Sequence, residues 1–254
     1  MAYKHGSPLI DGSLPFRIAS FMTFYTLWPL AQGINRMLHG IRYEDRKKLA
    51  GFSRAILVSN HTTLLDPVSV SGALLPHRTW HTLLEETVKT PILGTFIRLL
   101  GGVPLPPGRQ GLRQMLAACK TAFRYRRFIH FYPEGDCYIY NQRIEAFKPG
   151  AFFIAAALDI PVIPMVSIFS EGPFKAHTWL GRSLPLKTIR ILDAVYPARF
   201  IRRDAKGDLC GESIRDFAEA VRKIMQEAIN DRGGSSAFYR GKMKRLKGIH
   251  HERS

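Results

Sequence analysis

Residues 55–67, AILVSNHTTLLDP, contain an apolar run that leads directly into a polar turn. The run Ala55–Ser59 is short and aliphatic, which is typical of a buried strand. The turn carries His61 and ends in the pair Asp66-Pro67, where the proline disfavours helical geometry at the residue before it. Because α/β proteins place their sites in loops after strands, this stretch predicts both an α/β fold and the position of a site.

The turn allows two interpretations of His61 and Asp66. In the first, Asp66 caps a helix that begins at Pro67, and His61 is a loop histidine whose hydrogen bonds are satisfied. In the second, Asp66 accepts a hydrogen bond from one imidazole nitrogen, and the other nitrogen takes a proton from a hydroxyl group. A continuous helix would hold the two residues roughly 140° apart. The second interpretation therefore requires a turn between them.

Apolar runs and amphipathic stretches alternate along the rest of the chain, which favours an α/β domain with a mixed or mostly parallel sheet flanked by helices. Further strands are predicted at 128–132, 161–168 and 189–195. Helices are predicted at 111–123, Gly150–Leu158 and 213–229. We expect one domain over residues 41–232, an N-terminal segment at 1–40 that contacts a membrane, and a basic C-terminal tail at 233–254.

A second predicted strand is also followed by a polar turn. Residues 128–138 read FIHFYPEGDCY and include Pro133, Glu134 and Gly135. On its own, Pro-Glu-Gly is an ordinary turn. If this strand neighbours the first one in a parallel sheet, the two turns lie at the same sheet edge. We then expect one site that contains both turns.

The chain is strongly basic. Its 254 residues include 37 Lys and Arg against 20 Asp and Glu, a formal net charge of +17. Such a charge attracts nucleic acid, an anionic membrane surface or phosphorylated substrates. The basic residues are dispersed and no nucleic-acid reader motif is present, so we expect no nucleic-acid partner. The three cysteines are far apart and form no CxxC pair, which argues against a disulfide framework and a zinc site.

An uncharged apolar stretch lies between Arg17 and Arg36. At about 18 residues it only reaches the lower length of a spanning helix, and Pro29 is expected to kink it. Its aromatic residues are of the types that collect at the bilayer interface. We expect an interfacial or half-inserted helix, with a buried helix and a true span as alternatives, and a protein on the cytoplasmic face of the cell membrane.

Five short blocks follow one another in the first two thirds of the chain. They read NHTTLLD at 60–66, LGGVPL at 100–105, FYPEGD at 131–136, FKPG at 147–150 and IPVIP at 160–164. In this order the blocks resemble those of the lysophospholipid acyltransferase family, and within it those of the bacterial 1-acyl-sn-glycerol-3-phosphate acyltransferases. Thr63 stands where the family has serine.

The resemblance implies transfer of an acyl group from a thioester, acyl-CoA or acyl carrier protein, to the free hydroxyl of a lysophospholipid. The expected acceptor is 1-acyl-sn-glycerol-3-phosphate, which gives phosphatidic acid. His61 would act as the general base and Asp66 would orient it, with no metal and no cofactor. The residues expected to bind substrate are Asn60, Thr63, Arg109, Pro133, Glu134, Gly135 and Lys148.

Two blocks depart from the family pattern. Prolines at 106–107 stand where the second block normally ends in arginine, and Asp-Cys at 136–137 replaces Thr-Arg in the third. Arg109 and Lys148 are therefore the candidates to hold the phosphate of the acceptor. The alternatives are a different lysolipid acceptor or a non-catalytic lipid-binding homologue.

Overall fold

Seven strands form one sheet in the part of the chain that the structure, a computed structural model, describes: residues 7–90, 92–171 and 184–243. The strands are β1 (Arg42–Glu44), β2 (Ala55–Ser59), β3 (Thr79–Leu84), β4 (Gly102–Leu105), β5 (Phe128–Phe131), β6 (Val162–Ser170) and β7 (Leu186–Ile191). The α-helices are α1 (Leu14–His39), α2 (Asp66–Leu74), α3 (Glu85–Lys89), α4 (Leu93–Leu99), α5 (Gly108–Ala122), α6 (Gly150–Leu158) and α7 (Gly211–Asn230). Short 3₁₀ turns occupy 46–49, 197–199 and 236–238.

The strand order is β1-β7-β6-β2-β5-β3-β4. Every neighbouring pair is parallel except β6 and β7, which run in opposite directions. The predicted α/β class with a mixed, mostly parallel sheet is therefore confirmed. Strand β2 lies at the centre, between β5 and β6, so its carboxyl end opens onto the edge where β3, β4, β5 and β6 also end.

The core has two layers because β2 is buried on both faces, as in other parallel sheets covered by helices. Ala55 and Leu57 pack with α2 on one face, in a cluster that includes Val70. Ile56 and Val58 belong to the larger cluster on the other face, which contains the apolar sides of α5, α6 and α7. Successive side chains of β2 thus pack alternately against the helices on the two faces of the sheet.

Two histidines lie in this sheet as neutral, buried groups. His81 of β3 and His130 of β5 are paired in the ladder, with 3.3 Å between their Nδ1 atoms. Burial lowers the pKa of His81 to about 3 and lowers that of His130 well below its usual value. Ser71 and Ser59 hydrogen-bond the outer nitrogens of the pair. The polar pair is therefore accommodated in the core by hydrogen bonds rather than by charge.

The helix predicted near the N-terminus is present as α1, which continues through Pro29. Phe16, Ser20 and Phe24 are buried at four-residue spacing and form its inner side. The outer side is apolar, and Leu14, Leu30 and Met37 are 63%, 66% and 79% exposed. Within the described residues, no helix combines the length and the hydropathy needed to cross a membrane.

Candidate active site

The turn between β2 and α2 brings His61 and Asp66 together. His61 Nδ1 lies 2.8 Å from Asp66 Oδ2. Asp66 is the first residue of α2, but its side chain turns back to the loop and accepts from the backbone N–H groups of Thr62 and Thr63 at 2.6 and 2.9 Å. Asp66 therefore both begins a helix and pairs with His61. The two interpretations of the turn, a helix start and a His/Asp pair, hold together.

Asp66 is buried and paired with Lys187, the second residue of β7. Lys187 Nζ lies 2.5 Å from Asp66 Oδ1, and the two residues are 0% and 1% exposed. Burial raises the pKa of Asp66, but the charge of Lys187 and the hydrogen bond from His61 outweigh it, so the pKa lies well below its ordinary value. Asp66 is therefore ionised at neutral pH.

Lys187 is a site residue that the sequence analysis did not identify. It occupies an inward-facing position of LKTIRI, in phase with the buried residues Ile189 and Ile191. A lysine in the apolar phase of a strand is the signal that could have indicated a buried ion pair. Its partner Asp66, however, lies 121 residues earlier in the chain.

The imidazole of His61 is held by a hydrogen bond and by a stacked ring. Its ring stacks on Tyr132 with the centroids 4.0 Å apart, and its side chain remains 20% exposed. Because an ionised carboxylate only accepts hydrogen bonds, Nδ1 of His61 carries a proton and donates the hydrogen bond to Asp66. The other nitrogen, Nε2, is then an acceptor that can take a proton.

Glu134 joins the two turns at this edge. One of its carboxylate oxygens accepts the N–H of His61 at 2.9 Å, and the other accepts the N–H of Glu145 at 3.0 Å. The side chain is buried, and burial raises its pKa to about 7 although both N–H groups lower it. Since both oxygens are used within the protein, this placement favours positioning of His61 over the substrate contact expected from the sequence.

Asn60 and Thr63 also point into the protein. The amide of Asn60 donates to the carbonyl of Ser167 at 3.1 Å and accepts its N–H at 2.8 Å, which ties the end of β2 to β6. The hydroxyl of Thr63 donates to Asp66 at 2.7 Å and lies 3.3 Å from Lys187 Nζ. These contacts favour a positioning role for both residues.

Lys148 is exposed and lies against the turn that contains Gly135. The chain is held there because the N–H of Lys148 donates to the carbonyl of buried Pro133 at 2.8 Å. Gly135 has φ +77°, and a β-carbon at this position would overlap Lys148 Nζ. The glycine thus lets an ammonium group approach the backbone beside Glu134.

Arg109 is the second residue of α5, on the helix that follows β4, and its side chain is exposed. It lies at the same sheet edge as His61, but β4 is separated from β2 by β5 and β3. Three strand spacings of about 4.8 Å put the two strands about 14 Å apart. The structure therefore brings Lys148 to the turns directly and Arg109 to the outer part of the same edge.

Part of the predicted C-terminal tail contacts the site. Asp136, the carboxylate that replaces a family threonine, is paired with Lys242 at 2.8 Å. The backbone beside it is also paired, since Met243 N–H donates to the carbonyl of Cys137 at 2.8 Å. The negative charge of Asp136 is therefore compensated from within the chain.

The described residues contain no group of three or more His, Cys, Asp or Glu side chains placed to hold a metal ion. The chemistry available here is proton transfer at His61 beside a fixed, ionised carboxylate. A hydroxyl group positioned at Nε2 would be activated as a nucleophile.

Several known proteins are similar to this chain. The human 1-acyl-sn-glycerol-3-phosphate acyltransferase beta is 25% identical over 199 residues, which cover 76% of this chain and 70% of the human protein. The Saccharomyces cerevisiae 1-acyl-sn-glycerol-3-phosphate acyltransferase is 24% identical, with 72% of this chain and 58% of the yeast protein covered. The chain thus spans less than two thirds of the yeast relative.

Among solved structures, the 1-acyl-sn-glycerophosphate (LPA) acyltransferase PlsC from Thermotoga maritima has a similar fold. The TM-score is 0.56 at 21% sequence identity, over 84% of this chain and 81% of that one. The family model named Acyltransferase matches residues 40–168, which is about half of the chain and includes both site turns. The chain therefore belongs to the acyltransferase family.

Proposed function

We propose that the protein transfers a fatty acyl group from acyl-CoA or acyl carrier protein to the free hydroxyl of 1-acyl-sn-glycerol-3-phosphate, forming phosphatidic acid. The observation that carries this proposal is the hydrogen bond between His61 and an ionised, buried Asp66 at the carboxyl edge of the sheet. The names of the relatives support lysophosphatidic acid as the acceptor.

His61 supplies the general base. Its Nε2 takes the proton of the acceptor hydroxyl as the oxygen attacks the thioester carbonyl carbon. The tetrahedral intermediate then collapses, the carbon–sulfur bond breaks, and the imidazolium returns the proton to the departing thiolate. No acyl group is attached to the protein in this scheme.

Asp66 and Lys187 stabilise the imidazolium of His61 that forms during the attack. Asp66 is fixed by backbone N–H groups and by the Lys187 ammonium, so its negative charge is already oriented before reaction. Electrostatic preorganisation of this kind lowers the barrier because little has to reorient as charge develops.

The phosphate of the acceptor needs a cation, and Lys148 is an exposed lysine that lies against the Gly135 turn. Arg109 lies farther out on the same edge, where it would meet the phosphate of an acceptor that extends across the strand ends. The pairing of Asp136 with Lys242 limits the repulsion that the altered third block would cause.

We further propose that α1 contacts the cytoplasmic face of the cell membrane with its exposed apolar side. Leu64, between His61 and Asp66 in the chain, is also 73% exposed. An apolar side chain at the site entrance suits an acceptor whose acyl chain stays in the bilayer. The positive charge of the protein favours an anionic surface.

The deciding experiment is a thioester-consumption assay with lysophosphatidic acid, other lysolipids and a no-acceptor control. We expect His61→Ala to lower turnover by about 10²–10⁴-fold, the usual contribution of a general base. The matched control is His77→Ala, which removes an exposed histidine at the other end of α2. Full transfer by His61→Ala would contradict the mechanism, and transfer only to another lysolipid would contradict the acceptor.

A further inference from the structure

An open cavity of about 360 Å³ lies between α1 and the amino ends of β3 and β5. Arg78 directly precedes β3, and Arg126 lies two residues before β5. The turns that carry His61 and Glu134 follow the opposite ends of their strands. This cavity, which we call the amino-edge cavity, is therefore separate from the candidate active site.

Three arginines line the amino-edge cavity: Arg17, Arg78 and Arg126. The guanidinium of Arg126 lies 3.7 Å from the ring centroid of Trp80. Arg78 donates to the carbonyl of Ser20 at 3.0 Å, and its Nε is buried without a hydrogen-bond partner. Among the residues that the structure describes, no carboxylate lines the cavity.

Within the described part of the chain, the arginine charges therefore have no carboxylate against them in this cavity. Burial and the charge of Arg78 lower the pKa of Arg126 well below its usual value, and burial also lowers the pKa of Arg78. Buried cations are normally paired, because desolvation is costly unless an opposite charge compensates it. Both Nη groups of Arg126 already donate within the protein, to Thr79 and Ser20, whereas Arg78 Nε has no partner. An anion in the cavity would supply the missing opposite charge and accept from this free donor.

The rest of the wall is apolar. Leu14, Ile18 and Phe21 line the cavity and are 63%, 56% and 52% exposed. They lead onto the exposed outer side of α1, so the cavity is continuous with an apolar surface. A ligand with an anionic head and a hydrocarbon chain would bind both the arginines and the apolar wall of the cavity.

We propose that the amino-edge cavity binds the phosphate headgroup of an anionic membrane phospholipid. Arg17 and Arg78 contact the phosphate, Arg126 adds positive charge behind them, and the acyl chains lie along the apolar side of α1 that begins at Leu14. The inference rests on the proposed membrane contact of α1 but not on the proposed acyl transfer. It assigns the protein a second lipid site, which holds the start of α1 at the depth of the lipid phosphates.

The test is vesicle binding by the full chain. Vesicles of phosphatidylcholine are compared with vesicles that contain phosphatidylglycerol in addition. We expect R17Q/R78Q to bind the anionic vesicles about tenfold more weakly and the neutral vesicles unchanged, because two of the cations that line the cavity are lost. The matched control is R215Q/K223Q, which removes two exposed charges from α7, a helix that does not line the cavity, and is expected to change binding by less than about twofold.

If R17Q/R78Q and R215Q/K223Q lose binding to anionic vesicles equally, only the net charge of the protein matters. That result would overturn the proposed lipid site. Inorganic phosphate is the competing ligand. Millimolar phosphate is added to the wild-type protein bound to anionic vesicles. If it lowers binding as much as the R17Q/R78Q substitutions do, the cavity binds a free anion rather than a lipid. R17Q alone changes an exposed side chain, so it keeps the test valid if the R78Q change prevents folding.

Acyl transfer is assayed separately, with wild-type protein in detergent micelles. Absence of transfer there would contradict the proposed function and leave the vesicle result standing. His61→Ala is expected to bind anionic vesicles like the wild type, since His61 lies at the other edge of the sheet. Loss of vesicle binding in His61→Ala would overturn the separation of the two sites.

Discussion

The carboxyl and amino edges of the sheet differ in whether their buried charged side chains are paired. At the carboxyl edge, Asp66 is paired with Lys187 and held by backbone N–H groups. At the amino edge, Arg78 and Arg126 lie together without a carboxylate beside them among the described residues. A reaction centre benefits from charges that are fixed before substrate arrives, whereas a recognition site gains from charges that the ligand completes.

The largest effect is expected at the carboxyl edge. Asp66→Asn leaves the Lys187 ammonium buried without its partner, and breaking a buried pair on one side costs about 3–5 kcal/mol of unfolding free energy. Denaturant unfolding measures this loss, and the thioester assay measures the accompanying loss of activity. The control is Asp193→Asn, which removes the exposed partner of Lys48. Equal stability losses in the two variants would contradict the difference between buried and exposed pairs.

A double-mutant cycle sharpens the same point. Lys187→Met alone leaves Asp66 buried and uncompensated, so we expect a loss of similar size. When Asp66→Asn and Lys187→Met are combined, no charge remains, and we expect a total loss well below the sum of the single losses. If the double variant loses as much unfolding free energy as the two single variants together, Asp66 and Lys187 do not stabilise the fold as a pair.

The pH dependence of stability tests Glu134. Its pKa is about 7 in the folded protein and near 4.5 when unfolded, so the folded state binds the proton more tightly. This group therefore stabilises the fold below about pH 4.5, and its contribution is lost as pH rises to about 7, by up to about 1.4 kcal/mol per pH unit. Glu134→Gln is expected to remove this slope in denaturant titrations across that range. Glu227→Gln, which changes an exposed carboxylate of α7, serves as the control, and an unchanged slope in Glu134→Gln would contradict the assignment.

A smaller effect is expected at Gly135. Alanine there costs about 1–2 kcal/mol because φ is positive, and its methyl group displaces Lys148. Gly207→Ala is a matched control, since its φ is +83° with nothing near the added carbon. We expect both variants to lose stability, but only Gly135→Ala to raise KM for the phosphorylated acceptor. A similar KM in the two variants would argue against a role for Lys148.

The smallest stability effect is expected at the amino edge. Arg17 is exposed, so Arg17→Gln should change the unfolding free energy by no more than about 0.5 kcal/mol. The same denaturant titration measures it. A loss as large as that of Asp66→Asn would show that Arg17 holds the fold together, which would remove the contrast between the edges.

The sequence predicted the parts of the fold that have a clear local pattern. Strand β2 and helix α6 have the predicted bounds, and α7 extends slightly beyond its predicted range at both ends. Helix α5 begins three residues and ends one residue earlier than predicted. Strand β3 was not predicted because its polar residue His81 is buried through a hydrogen-bonded pair with His130, which no local pattern shows. Strand β4 contains Gly102 and Pro104, which weaken a strand pattern.

Pairing in the site could be predicted only where the partners are near in sequence. His61 and Asp66 share one turn, and the proline after Asp66 indicated a bend. The partners of Glu134 and Asn60 are backbone groups whose positions depend on the register between strands. Lys187 reaches the candidate site because β7 joins β6 in antiparallel orientation, which brings the start of β7 to the carboxyl edge of the parallel strands.

The antiparallel strand β7 also contributes to the candidate site a charge that lies outside the segment shared with the family. The segment shared with the family ends at residue 168, and it includes His61, Asp66 and Glu134. The ammonium that neutralises Asp66 lies beyond that segment, at Lys187. A fragment trimmed to the family boundary would retain its base and its carboxylate but lose their counterion. The candidate site therefore has the counterion of Asp66 only when the chain extends beyond the segment shared with the family.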